Sequence, residues 1–243
     1  MQEIALFTAV ACLGILVQSF VGFGGALTAV PLFALFLSPK EAIPTYNLVM
    51  ILIDLWLVFE ARRHIQWGRV GRLLLGGFIG VPIGACGLKY LSTDILNLAI
   101  GIMTSVFAVF FLLKIKIRMN DTTGTQVGVG LLSGFLGGSI AQAGPPVVIY
   151  GLARNWDKNA FRATLLAHFA CLRLLAIATY GGLGLFTVKS LTTFAVAIVP
   201  AFLASMCGVR FKDRASETFF RQVILVVVVA VGAVNIARSL WPR

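Results

Sequence analysis

Apolar residues gather along this chain in blocks too long for strands. The blocks cover 4–20, 43–59, 73–88, 96–113, 191–209 and 223–237, and a helix needs about 17 to 25 mostly apolar residues to cross the hydrocarbon core of a bilayer. The pattern predicts full membrane spans near 43–60, 73–91, 96–113, 160–180, 191–209 and 219–237. Shorter apolar pieces at 26–37, 127–136 and 145–152 adjoin glycine-rich turns. At 1.5 Å per residue, a helix of about ten to twelve residues reaches about 15 to 18 Å, half of the hydrocarbon thickness. These pieces are expected as half-helices in two re-entrant hairpins, 4–37 and 127–154, whose tips meet near the midplane. The alternative makes each Gly-Gly a close packing spot inside one continuous, kinked span. The block at 4–20 is also long enough to cross alone.

The two halves repeat one layout. Val21-Gly22-Phe23-Gly24-Gly25 with Pro31 answers to Leu136-Gly137-Gly138-Ser139 with Pro145, Val81-Pro82 to Val199-Pro200, and Gly87-Leu88-Lys89-Tyr90 to Gly208-Val209-Arg210-Phe211. The expected fold is therefore an all-α integral membrane protein of two inverted repeats, each a Gly-broken re-entrant hairpin followed by three transmembrane helices. The first repeat is placed at 1–113, a cytoplasmic linker at 114–126 and the second repeat at 127–243.

Composition agrees with this class and removes others. Apolar residues make up 59% of the 243-residue chain and charged residues 12%, far from the balance of a soluble domain. The net charge of +11 would suggest phosphate binding in a soluble protein. Here the basic residues sit in short segments between apolar blocks, which is a topology signal and not a nucleic-acid footprint. An inverted arrangement puts Arg62, Arg63, Arg69, Arg72, Lys114, Lys116, Arg118, Arg154, Lys158, Arg162, Arg210, Lys212 and Arg214 on the cytoplasmic side. It leaves Lys40, Lys89, Lys189, Arg238 and Arg243 outside, a split of 13 to 5, whereas parallel halves split 10 to 8. Inversion fits the positive-inside rule, with both termini outside. The chain opens Met1-Gln2-Glu3, without a basic signal region, so the first apolar block is expected to stay in the mature protein. Cys12, Cys86, Cys171 and Cys207 stand singly and read as small packing residues, and no metal site is expected.

Inverted halves with broken helices place a substrate site at the midplane, where half-helix N-termini present unpaired N–H groups and about half a positive charge each. Such ends, near Gly25 and Pro145, favour an anion. Gly22, Gly24, Gly25, Gly137, Gly138 and Gly144 would let backbone approach the ligand, and Gln18, Thr28, Ser139 and Gln142 offer polar side chains, as does Ser19. Charge inside a span is a functional signal. Arg173 is read as a fixed cation on the anion path, and Asp54, with Asn47 on the same helical face, as a counter-charge or gate. Inversion puts Asp54 and Arg173 on opposite sides of the midplane. The competing reading has Arg173 snorkelling outward and Asp54 pairing with Arg62 or Arg63. His168 shares a helix face with Thr164 and Cys171 and is either a hydrogen-bonded packing residue or a proton relay.

On Gly22-Phe23-Gly24-Gly25 with Pro31, on Gly134-Phe135-Leu136-Gly137-Gly138 followed by Gly144-Pro145-Pro146, and on the two-half layout, the chain resembles the TauE/SafE sulfite exporters, also described as sulfonate permeases. The interval Ser139-Ile140-Ala141-Gln142-Ala143 departs from the pattern, in which another glycine is expected. The resemblance implies export of a small sulfur anion such as sulfite, thiosulfate or an organosulfonate across a bacterial inner membrane. No Walker-type phosphate loop occurs, and no cofactor is expected. The expected partners are the anionic substrate and the lipid bilayer, not nucleic acid, with self-association into a homo-oligomer left open. A reading from another class is an integral-membrane enzyme of sulfur metabolism using Cys171 and His168. A third is a structural subunit, which would need neither a buried Arg nor doubled hairpins.

Overall fold

The computed structural model describes residues 1–113 and 117–212, and every regular element in them is helical. The helices are α1 (Gln2–Val21), α2 (Gly25–Phe33), α3 (Pro39–Ala61, continued by a 3-10 turn Arg62–His64), α4 (Trp67–Tyr90), α5 (Thr93–Leu112), α6 (Thr123–Ile140), α7 (Gly144–Ala153), α8 (Lys158–Gly182) and α9 (Val188–Lys212). Their starts follow from local chemistry. Ser38 and Ser92 accept from backbone N–H groups at the heads of α3 and α5, Thr122 does so for α6, and Asp157 accepts from Asn159 and Ala160 at the head of α8.

Among the described residues six helices are long and apolar enough to cross a membrane: α1, α3 with its 3-10 turn, α4, α5, α8 and α9. Five expected spans coincide with α3, α4, α5, α8 and α9. The sixth, 219–237, lies outside the described residues, as do Arg221 and the C-terminus. In the first broken element α1 has 20 residues, about 30 Å of helix, in line with a 4–20 block long enough to cross alone. In the second the structure corrects the half-length expected of 127–136, since α6 has 18 residues, about 27 Å of helix. Only the second arms, α2 with 9 residues and α7 with 10, are half-length. The second break also falls later than expected. The helix runs straight through Gly137 and Gly138 and ends at Ile140, because Ala141 turns into the left-handed region with φ 57°. α6 starts at Thr123, inside the stretch expected as linker.

Packing sets the position of the site. α4 and α6 run parallel and touch backbone to backbone. A Cβ on Gly76 would lie 1.9 Å from the Val127 carbonyl oxygen, and one on Gly130 would lie 1.8 Å from that of Leu73. Gly80 and Gly84 meet α6, and Gly134 and Gly138 meet α4, in the same way, so two four-residue glycine ladders interlock. α1 and α9 are also parallel, with Gly208 against Leu16 and Ser19 and a hydrogen bond of 2.9 Å between the Ser19 and Ser205 hydroxyls. α3 and α8 run antiparallel through the centre: Glu60, near the end of α3, meets Arg162, near the start of α8, and their middles meet at Asp54 and Arg173.

Candidate functional site

The first break is made by two glycines. Gly22 ends α1 at φ 94° while its N–H bonds the Gln18 carbonyl, and Gly24 precedes α2 at φ 91°, a region that side chains with a Cβ rarely enter. Between them Phe23 is buried against Phe107, Phe111 and Phe161. The second break is Ala141-Gln142-Ala143. It delivers α7 with Gly144 first, followed by Pro145 and Pro146, which have no N–H. Gly144 is thus the only N–H donor among those three residues, while Gly25, Ala26 and Leu27 all keep theirs.

Beside these ends lies a fully buried ionic centre. Arg173 donates from Nε to Asp54 Oδ2 at 2.6 Å and from Nη1 to Asn47 Oδ1 at 2.8 Å. Gln18 donates from Nε2 to Asp54 Oδ1 at 2.6 Å. Both carboxylate oxygens are therefore engaged, as a charge without water requires. Arg173 Nη2 has no hydrogen-bond partner among the described residues. Arg173 neither snorkels nor leaves Asp54 to Arg62 or Arg63, and the expected separation of Asp54 from Arg173 is corrected. The two halves cross closely enough at this depth for the side chains to reach each other.

Arg173 forms part of the wall of a cavity of about 40 Å³. Among the residues singled out in the sequence, Gln18, Gly24, Asn47, Gly137, Gln142, Gly144 and Arg173 line it. Gly22, Gly25, Thr28, Gly138, Ser139, Pro145, Asp54 and His168 do not. Asp54 stands behind Arg173. Gly22 lies against the Arg162 side chain, and a Cβ there would come within 2.6 Å of Arg162 Cγ. Gly138 faces the Val81 carbonyl on α4, Thr28 bonds back to the Gly24 carbonyl, and Ser139 to that of Phe135. Phe169, Leu172 and Ala176 of α8 complete the apolar wall. These three were unmarked in the sequence because nothing separates a wall residue from any other apolar residue of a span.

His168 lies just outside the wall and holds it in place. The Ser133 hydroxyl donates to the Ala143 carbonyl at 2.7 Å, so its 3.0 Å contact with His168 Nε2 makes the imidazole the donor. The chain of bonds ties α8 and α6 to the residue that precedes α7. His168 Nδ1 is buried without a partner among the described residues. No hydrogen bond joins His168 to Cys171, whose thiol is half-buried, and Thr164 instead accepts from the Gln66 N–H. A nucleophile and base pair is not assembled here. Among the described residues no cluster of His, Cys, Asp and Glu could hold a metal ion.

Three further ion pairs flank the centre. On the face rich in Arg, Arg162 donates to Glu60 at 2.7 Å and to the Ser19 carbonyl at 2.9 Å. On the opposite face Lys189 bridges Glu3 at 2.9 Å and Glu41 at 3.3 Å. In the loop before α6, Asp121 accepts from the Tyr150 hydroxyl at 2.5 Å and from Gln126 at 2.6 Å, which holds its carboxyl below the usual carboxylate range.

The family model described as "Sulfite exporter TauE/SafE" matches residues 6–234. A protein of Cupriavidus necator named "Probable sulfite/organosulfonate exporter TauE" is 23% identical over 175 residues, covering 70% of this chain and 68% of that one. The "Probable membrane transporter protein YfcA" of Escherichia coli K12 is 26% identical over 235 residues, 92% of this chain and 86% of its own. No solved structure matches the chain.

Proposed function

Because the chain belongs to the TauE/SafE sulfite exporter family and is a multi-pass membrane protein, we propose that it exports a small sulfur oxyanion, sulfite, thiosulfate or an organosulfonate, through the cavity at Arg173. One observation carries this reading: Ala26 and Leu27 in the first turn of α2, Gly144 at the head of α7 and a buried guanidinium line the same small space. Helix N-termini add partial positive charge and the guanidinium a whole one, in a medium where water does not screen them. At about 10 to 15 Å³ per water, the cavity has room for about three, the scale of a small oxyanion. An inside-negative potential favours anion exit by about 2.3 kcal/mol per charge per 100 mV.

In this proposal the halves are inverted repeats, 1–113 and 127–243 around the segment 114–126, with α1–α2 and α6–α7 as re-entrant hairpins. Three observations support it. Gly25 and Gly144 open α2 and α7, Pro39 and Lys158 open α3 and α8, and Asp54 and Arg173 pair, each couple 119 residues apart. The first arm of each half packs on the third long helix of the other, α1 on α9 and α6 on α4. The central helices run antiparallel. Residues at equivalent positions can touch only at the axis that relates the halves, which supports a midplane position for the pair in an inverted fold. Asp54 acts as the gate: it and the arriving anion compete for one guanidinium, with Asn47 holding the guanidinium's orientation.

The test is flux of radiolabelled sulfite, thiosulfate and organosulfonates across liposomes containing the purified protein. Saturable flux of at least one of them, lost in Arg173→Gln, is expected. Absence of flux for all of them would overturn the proposal.

A further inference from the structure

Gln142 sits in the second break, its backbone pinned by a bond from its N–H to the Leu136 carbonyl at 3.1 Å. Its side chain is buried and lines the cavity, 1% exposed. Nε2 donates to the Thr104 hydroxyl at 3.0 Å, on α5, where Thr104 is itself fully buried. The carbonyl oxygen Oε1 has no partner among the described residues. A buried acceptor left unmet is costly, so a hydrogen donated to it is a gain. Around the same space stand donors: the free Nη2 of Arg173 and the N–H of Gly144 at the head of α7.

A wall that offers donors beside a buried, unmet acceptor suits an anion that carries its own hydrogen. We infer that Gln142, oriented by Thr104, is a specificity-determining residue whose Oε1 accepts a hydrogen bond from a singly protonated oxyanion, of the kind represented by hydrogen sulfite. The inference rests on the proposed transport of a sulfur anion and narrows its substrate. Two substrate oxygens take the donors of Arg173 and Gly144, and the substrate hydroxyl meets Oε1. An anion of equal charge and shape without the hydroxyl leaves Oε1 unmet, so the site rejects it, and such unpaired polar groups discriminate better than a change of size does.

Methanesulfinate provides that comparison, since a methyl group replaces the hydroxyl of hydrogen sulfite at the same charge. In liposomes at a pH where sulfite is mainly singly protonated, the protein is expected to show a half-saturation concentration about tenfold lower for sulfite than for methanesulfinate, from one hydrogen bond of about 1.4 kcal/mol. Gln142→Met is expected to bring the two values within about twofold. Thr104→Val keeps the glutamine but removes its acceptor, so it should narrow the ratio in the same direction with little change of shape. Equal half-saturation for the two anions in the parent protein overturns the inference and leaves transport standing. A ratio unchanged in Gln142→Met, or in Thr104→Val should the first variant fail to fold, overturns it as well. Absence of flux for both anions and for every other sulfur anion removes the transport reading itself.

Discussion

Asp54 and Arg173, equally far from the starts of α3 and α8, hold each other through a 2.6 Å hydrogen bond between Nε and Oδ2. The pair joins the halves at the wall of the cavity, so one contact couples the fold to the candidate site.

Replacing Arg173 should separate those two roles. Arg173→Gln is expected to abolish anion flux and to cost about 3 to 5 kcal/mol of stability, because Asp54 then keeps a buried charge without its partner. Arg173→Lys should recover part of the flux, since charge stays but the planar fork is lost. The double variant Arg173→Gln with Asp54→Asn should regain most of the stability and none of the transport. Thermal unfolding in detergent beside liposome flux checks this, and a double variant that transports like the parent would remove Arg173 from the path.

The glycines should sort into two groups by the variants they tolerate. Gly138→Ala places a Cβ 2.3 Å from the Val81 carbonyl oxygen, so a loss of about 1 to 3 kcal/mol by overpacking is expected. At Gly144 the nearest atom to an added Cβ is Phe169 Cζ at 3.7 Å, an ordinary contact. Gly144→Ala should therefore unfold like the parent while raising the half-saturation concentration for the transported anion. Unfolding curves and flux kinetics on both variants test the distinction.

Ser133 and His168 should act through the position of α7. Ser133→Ala breaks the tie to the Ala143 carbonyl and is expected to raise half-saturation severalfold more than it lowers maximal flux. Ser133→Thr, which keeps the hydroxyl, should restore the parent's value. An equal loss in both variants would mark the site as simple packing.

The loop before α6 has a pH dependence of definite sign. The Asp121 carboxyl is held low by Tyr150 and Gln126, so the carboxylate contributes stability above the unfolded value of about 3.9 and loses it as pH falls through the lower folded value. The side chain is 39% exposed, which keeps the effect at or below about 1 kcal/mol. Asp121→Asn should flatten the acid limb of a stability profile below about pH 4.

Topology follows from the distribution of basic residues. A cysteine at position 2 and one at position 189 should react with a membrane-impermeant reagent added outside intact cells, while one at position 63 should react only after permeabilisation. Reaction at 63 in intact cells would reverse the orientation.

The sequence by itself determined what depends on short stretches of chain. Span lengths follow from runs of apolar residues, the first break from two glycines that alone accept φ near +90°, and the presence of a cation within a span from an arginine in an apolar helix. Packing decided the rest. Gly137 and Gly138 read as a helix break, yet an α-helix continues through glycine when neighbouring groups fill the space, and here α4 does so at Gly138 and Ala143 at Gly137. The real break falls at Ala141, where no residue type announces it. The partner of Arg173 could not be read from Asp54, since 119 residues separate them and only the crossing of α3 with α8 brings them together. Gln142 looked like one donor among several. Thr104, supplied by α5, takes the Nε2 of Gln142 and leaves Oε1 without a partner among the described residues, and that arrangement exists only once the helices are assembled.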